Sequence, residues 1–316
     1  MNKNQRDLDG IKYHLEQAGI MEYLNDPNVT EVMLNPDGQV WIEAFGKPMF
    51  YARDIDAEKS VRILNALGDY HGQVLTSTSP ILECEIPTDG SRFEGLIPPI
   101  VAKPSFVIRK KATKIFTFDD YIASGTMDEA QAHVLTKFIR KHKNIVVVGG
   151  TGSGKTTLVN ALLDKMTEEF QHERFVILED TNEIQCKAKN HVVKRTNQTA
   201  NVTMQTLLRT TLRYRPDRII VGEVRGGEAL DLLKAWNTGH PGGLATIHAD
   251  SAFQGLSRFE QCVNEVLPTV NQLLIANTVH VLVFIKRTEK GRRIEEILEV
   301  SGFENGRYIT YPALID

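Results

Sequence analysis

The sequence predicts an α/β protein with a smaller α+β domain in front of it. Three observations predict this. From Asn144 onward, apolar strand-like runs alternate with helical periodicity, the pattern of a parallel sheet with crossover helices. Before that point the strand-like runs pair through Gly/Pro/Asp turns, the pattern of hairpins. Between the two halves of the alternation, Val146-Val147-Val148 runs into Gly149-Gly150-Thr151-Gly152-Ser153-Gly154-Lys155-Thr156-Thr157. That stretch reads as a buried strand, a glycine loop and a helix start.

Length and composition agree. A chain of 316 residues suits two ordinary domains. Hydrophobic residues make up 41% and charged residues 24%, which fits a globular protein with a sizeable core. No apolar run reaches transmembrane length, and the polar N-terminus lacks the apolar core of a secretory signal. The expected location is therefore cytoplasmic. Cys84, Cys186 and Cys262 are scattered, with no metal-binding spacing. The net charge is −3 and neither half carries a basic excess, so direct nucleic-acid binding is not indicated.

In chain order, residues 5–24 show near-helical apolar spacing, weakened by Gly10 and Gly19. Such a helix could touch a membrane surface or a partner; packing on its own domain is the plainer reading. Runs 30–35 and 39–45 flank Pro36-Asp37-Gly38 and predict a hairpin. Residues 57–70 predict a helix with Val61, Leu64 and Leu67 on one face. Runs 81–86 and 92–97 flank Pro87-Thr88-Asp89-Gly90 and predict a second hairpin, and 106–109 a short strand. The domains are expected at 1–111 and 127–316, with a linker over 112–126. Thr126 with Glu129 suggests a capping box for a helix over 127–141. The alternation then reads strand 145–149, helix 155–169, strand 174–179, helix 203–213, strand 218–222, helix 227–237 and strand 244–247. Strands at 280–286, 294–300 and 307–310 close the chain.

The glycine loop carries the firmest chemistry. Gly149 to Thr156 fits the G-x-x-x-x-G-K-[ST] phosphate-binding pattern. Glycines let the backbone curl so that its N–H groups point at phosphate oxygens, and the helix start adds its positive dipole end. The expected nucleotide-binding residues are Gly150, Thr151, Gly152, Ser153, Gly154, Lys155, Thr156 and Thr157. Lys155 reaches the β/γ-phosphates and the Thr156 hydroxyl is a Mg²⁺ ligand. The other candidates lie at strand ends, because ligands of open α/β sheets sit at the C-terminal edge. Glu179-Asp180 ends one strand, with Glu183 close behind. Glu223 ends another, with Gly222 where many ATPases place an Asp. His248 ends a third and could sense a γ-phosphate; His240 stands in the preceding glycine-rich turn. Arg209, Arg213, Arg215, Arg218 and Arg225 supply candidate cations for transferred phosphoryl charge.

Four segments in this order resemble the type II and type IV secretion ATPases, also called traffic ATPases. They are GGTGSGKTT (149–157), ILEDTNEI (177–184), RPDRIIVGEVRGGEA (215–229) and TGHPGGLATIHADSA (238–252). VTEVMLN (29–35), DGSRFEGLIPP (89–99) and SFVIRK (105–110) extend the likeness over nearly the whole chain. Within the family the chain is most similar to the conjugal-transfer ATPases called TrbB. The resemblance implies a RecA-like P-loop NTPase domain, ATP and Mg²⁺ as cofactors, and a homohexameric ring with ATP bound between the two domains of each chain. It implies catalytic roles for Lys155, Glu179, Glu223 and His248, metal ligation by Thr156, Glu179 and Glu223, and nucleotide contacts from Arg109, Arg213 and Arg225. Which arginine acts in trans, and how Glu179 and Glu223 divide water activation and metal orientation, stay open. It further implies inner-membrane components of a secretion or conjugation complex as partners, with peripheral membrane association. The alternative is an assembly or retraction ATPase of a type IV pilus or type II system; the absent tetracysteine motif and short first domain disfavour the extension type. A small-molecule kinase fits the added hairpin domain poorly, and no N-K-x-D segment is present to read guanine.

Overall fold

A computed structural model describes residues 3–45, 47–111, 115–197, 200–289 and 291–313. The chain divides into two compact units, Met1–Thr113 and Lys114–Asp316.

The first unit contains helices α1 (Lys3–Gln17) and α2 (Met21–Asn25), strands β1 (Val29–Leu34), β2 (Gln39–Ala44) and β3 (Phe50–Asp54), helix α3 (Ala57–His71), and strands β4 (Ile81–Glu85), β5 (Arg92–Leu96) and β6 (Ser105–Arg109). The six strands form one sheet in the order β3-β2-β1-β6-β5-β4, with every neighbouring pair antiparallel. Alternate residues of β1 and β2 face inward: Val32 and Leu34, Val40 and Ile42 are buried. They meet Ile11 and Leu15 of α1 and Ile63, Leu64 and Leu67 of α3 in one apolar cluster. Gly19 takes a left-handed backbone (φ 67°), which splits the expected single N-terminal helix into α1 and α2. Strand β3 was not expected from the sequence. Its edge position leaves Phe50 and Tyr51 exposed, so the inward–outward alternation that marks a half-buried strand is weak there.

The second unit contains α4 (Phe118–Ala123), α5 (Glu129–Arg140), β7 (Ile145–Val148), α6 (Lys155–Glu169), β8 (Phe175–Glu179), β9 (His191–Arg195), α7 (Met204–Thr211) with a 3₁₀ turn at Leu212–Tyr214, β10 (Arg218–Val224), α8 (Glu228–Asn237), β11 (Leu244–Ile247), α9 (Ala252–Asn264), α10 (Gln272–Thr278), β12 (Val281–Thr288), β13 (Gly291–Glu304) and β14 (Arg307–Pro312). Its eight-stranded sheet runs β14-β13-β12-β7-β11-β10-β8-β9. The six strands from β12 to β9 are mutually parallel, and β13 and β14 add an antiparallel end. Two apolar clusters cover the two faces. On one, Val146, Val148, Val176, Leu178, Ile219 and Val221 pack under α7 to α10. On the other, Ile145, Val147, Phe175 and Ile177 pack under α4 to α6. Alternation along each strand therefore builds an α/β/α sandwich, the three-layer form of a parallel sheet buried on both faces.

The segment read as linker behaves differently in part. Residues 112–114 lie outside the described residues, but Phe118–Ala123 form α4. Thr117 caps it, accepting from the Asp120 N–H while the Asp120 carboxylate accepts from the Thr117 N–H. The capping box of α5 is Asp128 with Gln131, not Thr126 with Glu129. Helix α9 was missed because Gly255 interrupts its periodicity. That glycine is a packing residue: a Cβ there would stand 2.7 Å from Leu282 and 3.0 Å from Val148. Strand β9 was missed as an edge strand with alternately exposed residues.

A polar hub ties the lower ends of three parallel strands. The buried Asn144 side chain donates to the Thr278 carbonyl at 2.8 Å and accepts from the Gly243 N–H at 2.9 Å. Its backbone N–H donates to His280 Nδ1 at 2.9 Å. That bond requires an unprotonated Nδ1. Burial, reinforced by the Lys143 charge, pushes the His280 pKa down to about 4. The folded state therefore binds this proton less readily than the unfolded chain does. Its contribution is complete above the ordinary histidine value of about 6.5 and shrinks as pH falls toward about 4. Lowering the pH from about 7 to about 5 should cost on the order of 1 kcal/mol at this site, screening by solvent included. In His280→Asn the amide oxygen can still accept the Asn144 N–H, so the Tm of that variant should depend less on pH. Equal slopes of Tm against pH in the two proteins would remove His280 as the cause.

Candidate nucleotide site

Parallel pairing sets strand ends side by side. Val148 at the end of β7 is level with Ile247 of β11 and Phe284 of β12, and Leu178 of β8 is level with Val221 of β10. The residues that follow thus share one edge: the glycine loop after β7, Glu179 on β8, Glu223 on β10 and His248 after β11. Glu223 lies inside β10, which runs on to Val224, two residues beyond the expected strand 218–222.

The loop needs its glycines for geometry. Gly152 and Gly154 have φ of 69° and 95°, a region that disfavours residues with a Cβ. At Gly149 a Cβ would stand 2.3 Å from the Ile285 carbonyl oxygen. Gly154 is the N-cap of α6, so the helix begins at Lys155 with free N–H groups toward the loop. Gly150, Thr151 and Gly152 are exposed, Ser153 is buried, and Thr156 and Thr157 are half-buried. Lys155 is buried, and its ammonium donates to the Gly149 and Gly150 carbonyls at 3.0 and 2.9 Å.

Lys155 is also the first member of a polar chain. Its Nζ lies 3.3 Å from His248 Nδ1. His248 Nε2 lies 2.6 Å from Glu223 Oε1. Burial and the Lys155 charge lower the His248 pKa, against an opposing pull from Glu223. A neutral ring satisfies both neighbours with its proton on Nε2: Nδ1 accepts from Lys155, and Nε2–H donates to Glu223. The other Glu223 oxygen accepts from Arg225 Nε at 2.6 Å, and Arg225 Nη1 reaches Asp180 Oδ2 at 3.4 Å. Asp180 accepts from the Thr196 hydroxyl at 2.9 Å.

Glu179 is the second centre. It is 2% exposed, and burial pushes its carboxyl up despite the bonds it accepts. Oε2 accepts from the Glu183 and Ile184 N–H groups at 3.0 and 2.9 Å, which folds the acidic segment back over the strand end. Oε1 is buried with no hydrogen-bond partner; Arg195 Nε stands 3.8 Å away. Gly222 makes room for this side chain, because a Cβ there would lie 3.2 Å from Glu179 Cβ. The glycine in place of an aspartate is thus part of how β10 accommodates the carboxylate of β8. Thr156 Oγ1 donates to Glu183 Oε2 at 3.3 Å.

These donors fit a Mg²⁺ ion. A threonine hydroxyl, an adjacent exposed-edge carboxylate and a buried carboxylate oxygen without a donor are hard oxygen ligands. Among the described residues no cluster of three or more His, Cys, Asp or Glu is arranged as a metal cage. That suits Mg²⁺ completed by phosphate oxygens and water, its usual mode at phosphate sites.

Within the second unit, Arg209, Arg218 and His240 have their partners outside this cluster, and Arg213 has none in it among the described residues. Arg109 ends β6 in the first unit, half-exposed and 3.7 Å from Glu31. Arg213 is exposed on the 3₁₀ turn and joins no hydrogen bond or ion pair with the cluster. Arg209 pairs with Asp231 at 3.7 Å. Arg218 is fully buried, held by Glu173 and the Gly242 carbonyl and stacked on Phe170; it is structural. His240 contacts the Pro216 carbonyl at 2.9 Å, before β10 and β11 begin and so at the sheet's opposite edge. Sequence reasoning missed Arg195, one strand over from Glu179, and Arg292, whose guanidinium lies over Gly152.

The sequence of residues 14–291 matches the family described as Type II/IV secretion system protein. The chain belongs to that family. It is 47% identical over 285 residues to the probable conjugal transfer protein TrbB of Sinorhizobium fredii, covering 90% of this chain and 87% of that protein. It is 45% identical over 287 residues to the conjugal transfer protein TrbB of Rhizobium radiobacter, covering 91% and 88%. The fold is similar to a crystal structure of the pilus retraction motor PilT with bound ADP, at TM-score 0.62 and 17% identity over 89% of this chain and 81% of that one. The second unit is therefore a RecA-like P-loop domain, and the protein is an ATPase of the secretion family. Among the described residues no helix is long and apolar enough to cross a membrane.

Glu179 has a structural and a chemical task, and two substitutions separate them. Glu179→Gln keeps an oxygen to accept the Glu183 and Ile184 N–H groups, so its Tm should stay near that of the parent. Glu179→Ala leaves both donors unpaired and should lose about 1–3 kcal/mol of stability. Thermal unfolding of the pair checks this; equal destabilisation by both would show that the acceptor oxygen is not what holds the segment.

Proposed function

We propose that the protein is a homohexameric ATPase that powers a conjugal DNA-transfer or type IV secretion apparatus. The observation that carries the catalytic part is the single sheet edge shared by Lys155, Glu179, Glu223 and His248. The similarity to two TrbB proteins at 45–47% identity favours conjugal transfer over the pilus or type II alternative, which the family match covers without distinguishing.

In this reading the loop N–H groups and the start of α6 hold the β- and γ-phosphates, and Lys155 exchanges loop carbonyls for phosphate oxygens. Thr156, Glu179 and Glu183 hold Mg²⁺, which would neutralise phosphate charge. Glu223 orients the attacking water and accepts its proton. His248 bridges Lys155 and Glu223, so it is placed to report loss of the γ-phosphate. Arg225 holds the Glu223 carboxylate in place through its guanidinium. The work is done at the inner membrane through partner proteins, with no spanning segment needed in this chain.

Lys155→Ala should abolish nucleotide binding and phosphate release. Glu223→Gln should bind ATP and release phosphate at least about a hundredfold more slowly, a typical scale for a general base. Normal turnover by Glu223→Gln would sink the assignment of the base. Light scattering with ATP and Mg²⁺ should give a sixfold mass, and a monomer under all conditions would refute the ring.

A further inference from the structure

The hairpin of β12 and β13 contains a feature that the motifs do not explain. Ile285 faces Ile294 across the hairpin, and the next pair on the same face is Arg287 opposite Arg292. The isoleucines are buried in the core. Two like charges directly opposite each other on neighbouring strands repel, so the register places a concentrated positive charge at this spot. The spot is the phosphate loop. Arg292 Nε and Nη2 each lie 3.4 Å from the Gly152 carbonyl oxygen. A Cβ on Gly154 would stand 2.7 Å from Arg292 Cδ and 3.1 Å from its Nε. The last glycine of the loop thus serves a second purpose besides its backbone angle: it lets the arginine lie flat against the turn.

The arginine is well anchored. Two residues on, the Ile294 N–H donates to the Thr126 carbonyl at 2.8 Å, and the Ile294 carbonyl accepts from Gln131 at 3.1 Å. Burial pushes the Tyr121 hydroxyl up, and the Arg292 charge opposes it, so the guanidinium also lies near α4. The loop is therefore braced from two sides. Lys155 holds the Gly149 and Gly150 carbonyls from within, and Arg292 holds the Gly152 carbonyl from the hairpin. A trans peptide points its C=O and the next N–H in opposite directions. Drawing the Gly152 oxygen toward the hairpin turns the Ser153 N–H away from it, and that N–H donates to the Gly150 carbonyl at 3.4 Å, closing the turn on itself.

We infer that Arg292 is a positioning residue of the nucleotide site, which braces the phosphate loop at Gly152 and adds positive charge beside the polyphosphate. It acts on affinity for the polyphosphate group rather than on the chemical step. This rests on the ATPase reading for its kinetic part only, because binding can be measured without turnover.

The test uses the full-length chain. Binding of ATP, ADP and inorganic triphosphate is titrated calorimetrically, and phosphate release gives KM and kcat. Arg292→Ala should weaken all three ligands by about tenfold, the loss of roughly one charge-assisted contact. KM should rise alongside, with kcat within about twofold of the parent. Arg292→Lys should recover part of the affinity, and Arg292→Gln, which keeps a polar side chain and loses the charge, should not. Should the alanine variant unfold, the glutamine and lysine variants decide. Unchanged affinity in the neutral variants would overturn the inference, as would a fall in kcat at unchanged affinity. A parent protein that binds nucleotide without releasing phosphate would refute the ATPase reading and leave the binding test of Arg292 standing.

Discussion

The site depends on the register of β7. This strand is four residues long, wholly buried, and paired in parallel on both sides. A one-residue shift of a strand exchanges its two faces, so a slip of β7 would move Val146 and Val148 out of the layer they pack in and Ile145 and Val147 out of theirs. The register thus fixes the height of Gly149 relative to His248 and, through β11 and β10, relative to Glu223. Asn144 pins the same register from below by bonding the segments that enter β11 and β12. The loop's conformation matters only because this strand delivers it to the right level.

Charge at the edge is organised as an alternating chain: Lys155, a neutral imidazole, Glu223, Arg225 and Asp180. Glu223, Arg225 and Asp180 each have a partner of opposite sign within hydrogen-bond or ion-pair distance, and the Lys155 ammonium is met by loop carbonyls and the imidazole. Glu179 stands apart from it. Its carboxyl is buried, hydrogen-bonded through one oxygen and met at the other by the Arg195 guanidinium at 3.8 Å, and desolvation raises its pKa. Perturbed carboxyls of this kind concentrate at functional sites because they are poised to respond to a nearby cation. Two glutamates at adjacent strand ends thus have different environments, Glu223 half-buried between His248 and Arg225 and Glu179 buried under backbone N–H groups, which the motif letters alone do not separate.

Much of this was readable in the sequence for physical reasons. The buried parallel strands are continuous apolar runs, so β7, β8 and β11 were found within a residue or two, and β10 with its last two residues short. The glycine loop announced itself through spacing. What was not readable depends on packing between distant segments. Gly255 lowers the helical signal of α9 because it serves Val148, far away in sequence. The capping residue of α5 is Asp128, two residues beyond the serine/threonine-type cap that the pattern suggested. The half-exposed edge strands β3 and β9 carry too little alternation. Arg195 and Arg292 belong to no motif; they are found only when pairing of β9 with β8, and of β13 with β12, brings them to the edge. Among the arginines around β10 the sequence alone does not separate roles: Arg218 is a buried core residue, whereas Arg225 bonds Glu223 at the strand-end edge.

The ammonium of Lys155 is already solvated by its own loop, through the Gly149 and Gly150 carbonyls. In the proposed function, phosphate capture is a swap of partners, in which two neutral acceptors give way to anionic ones. The free energy of binding is the difference between two well-made sets of bonds, so it is smaller than the gross attraction between lysine and phosphate. The reverse swap is correspondingly easy. When the terminal phosphate departs, the lysine has somewhere to go, and the loop closes on its own cation. For a cyclic machine that must let go of product as readily as it seizes substrate, this self-solvation keeps the resting and loaded states close in energy.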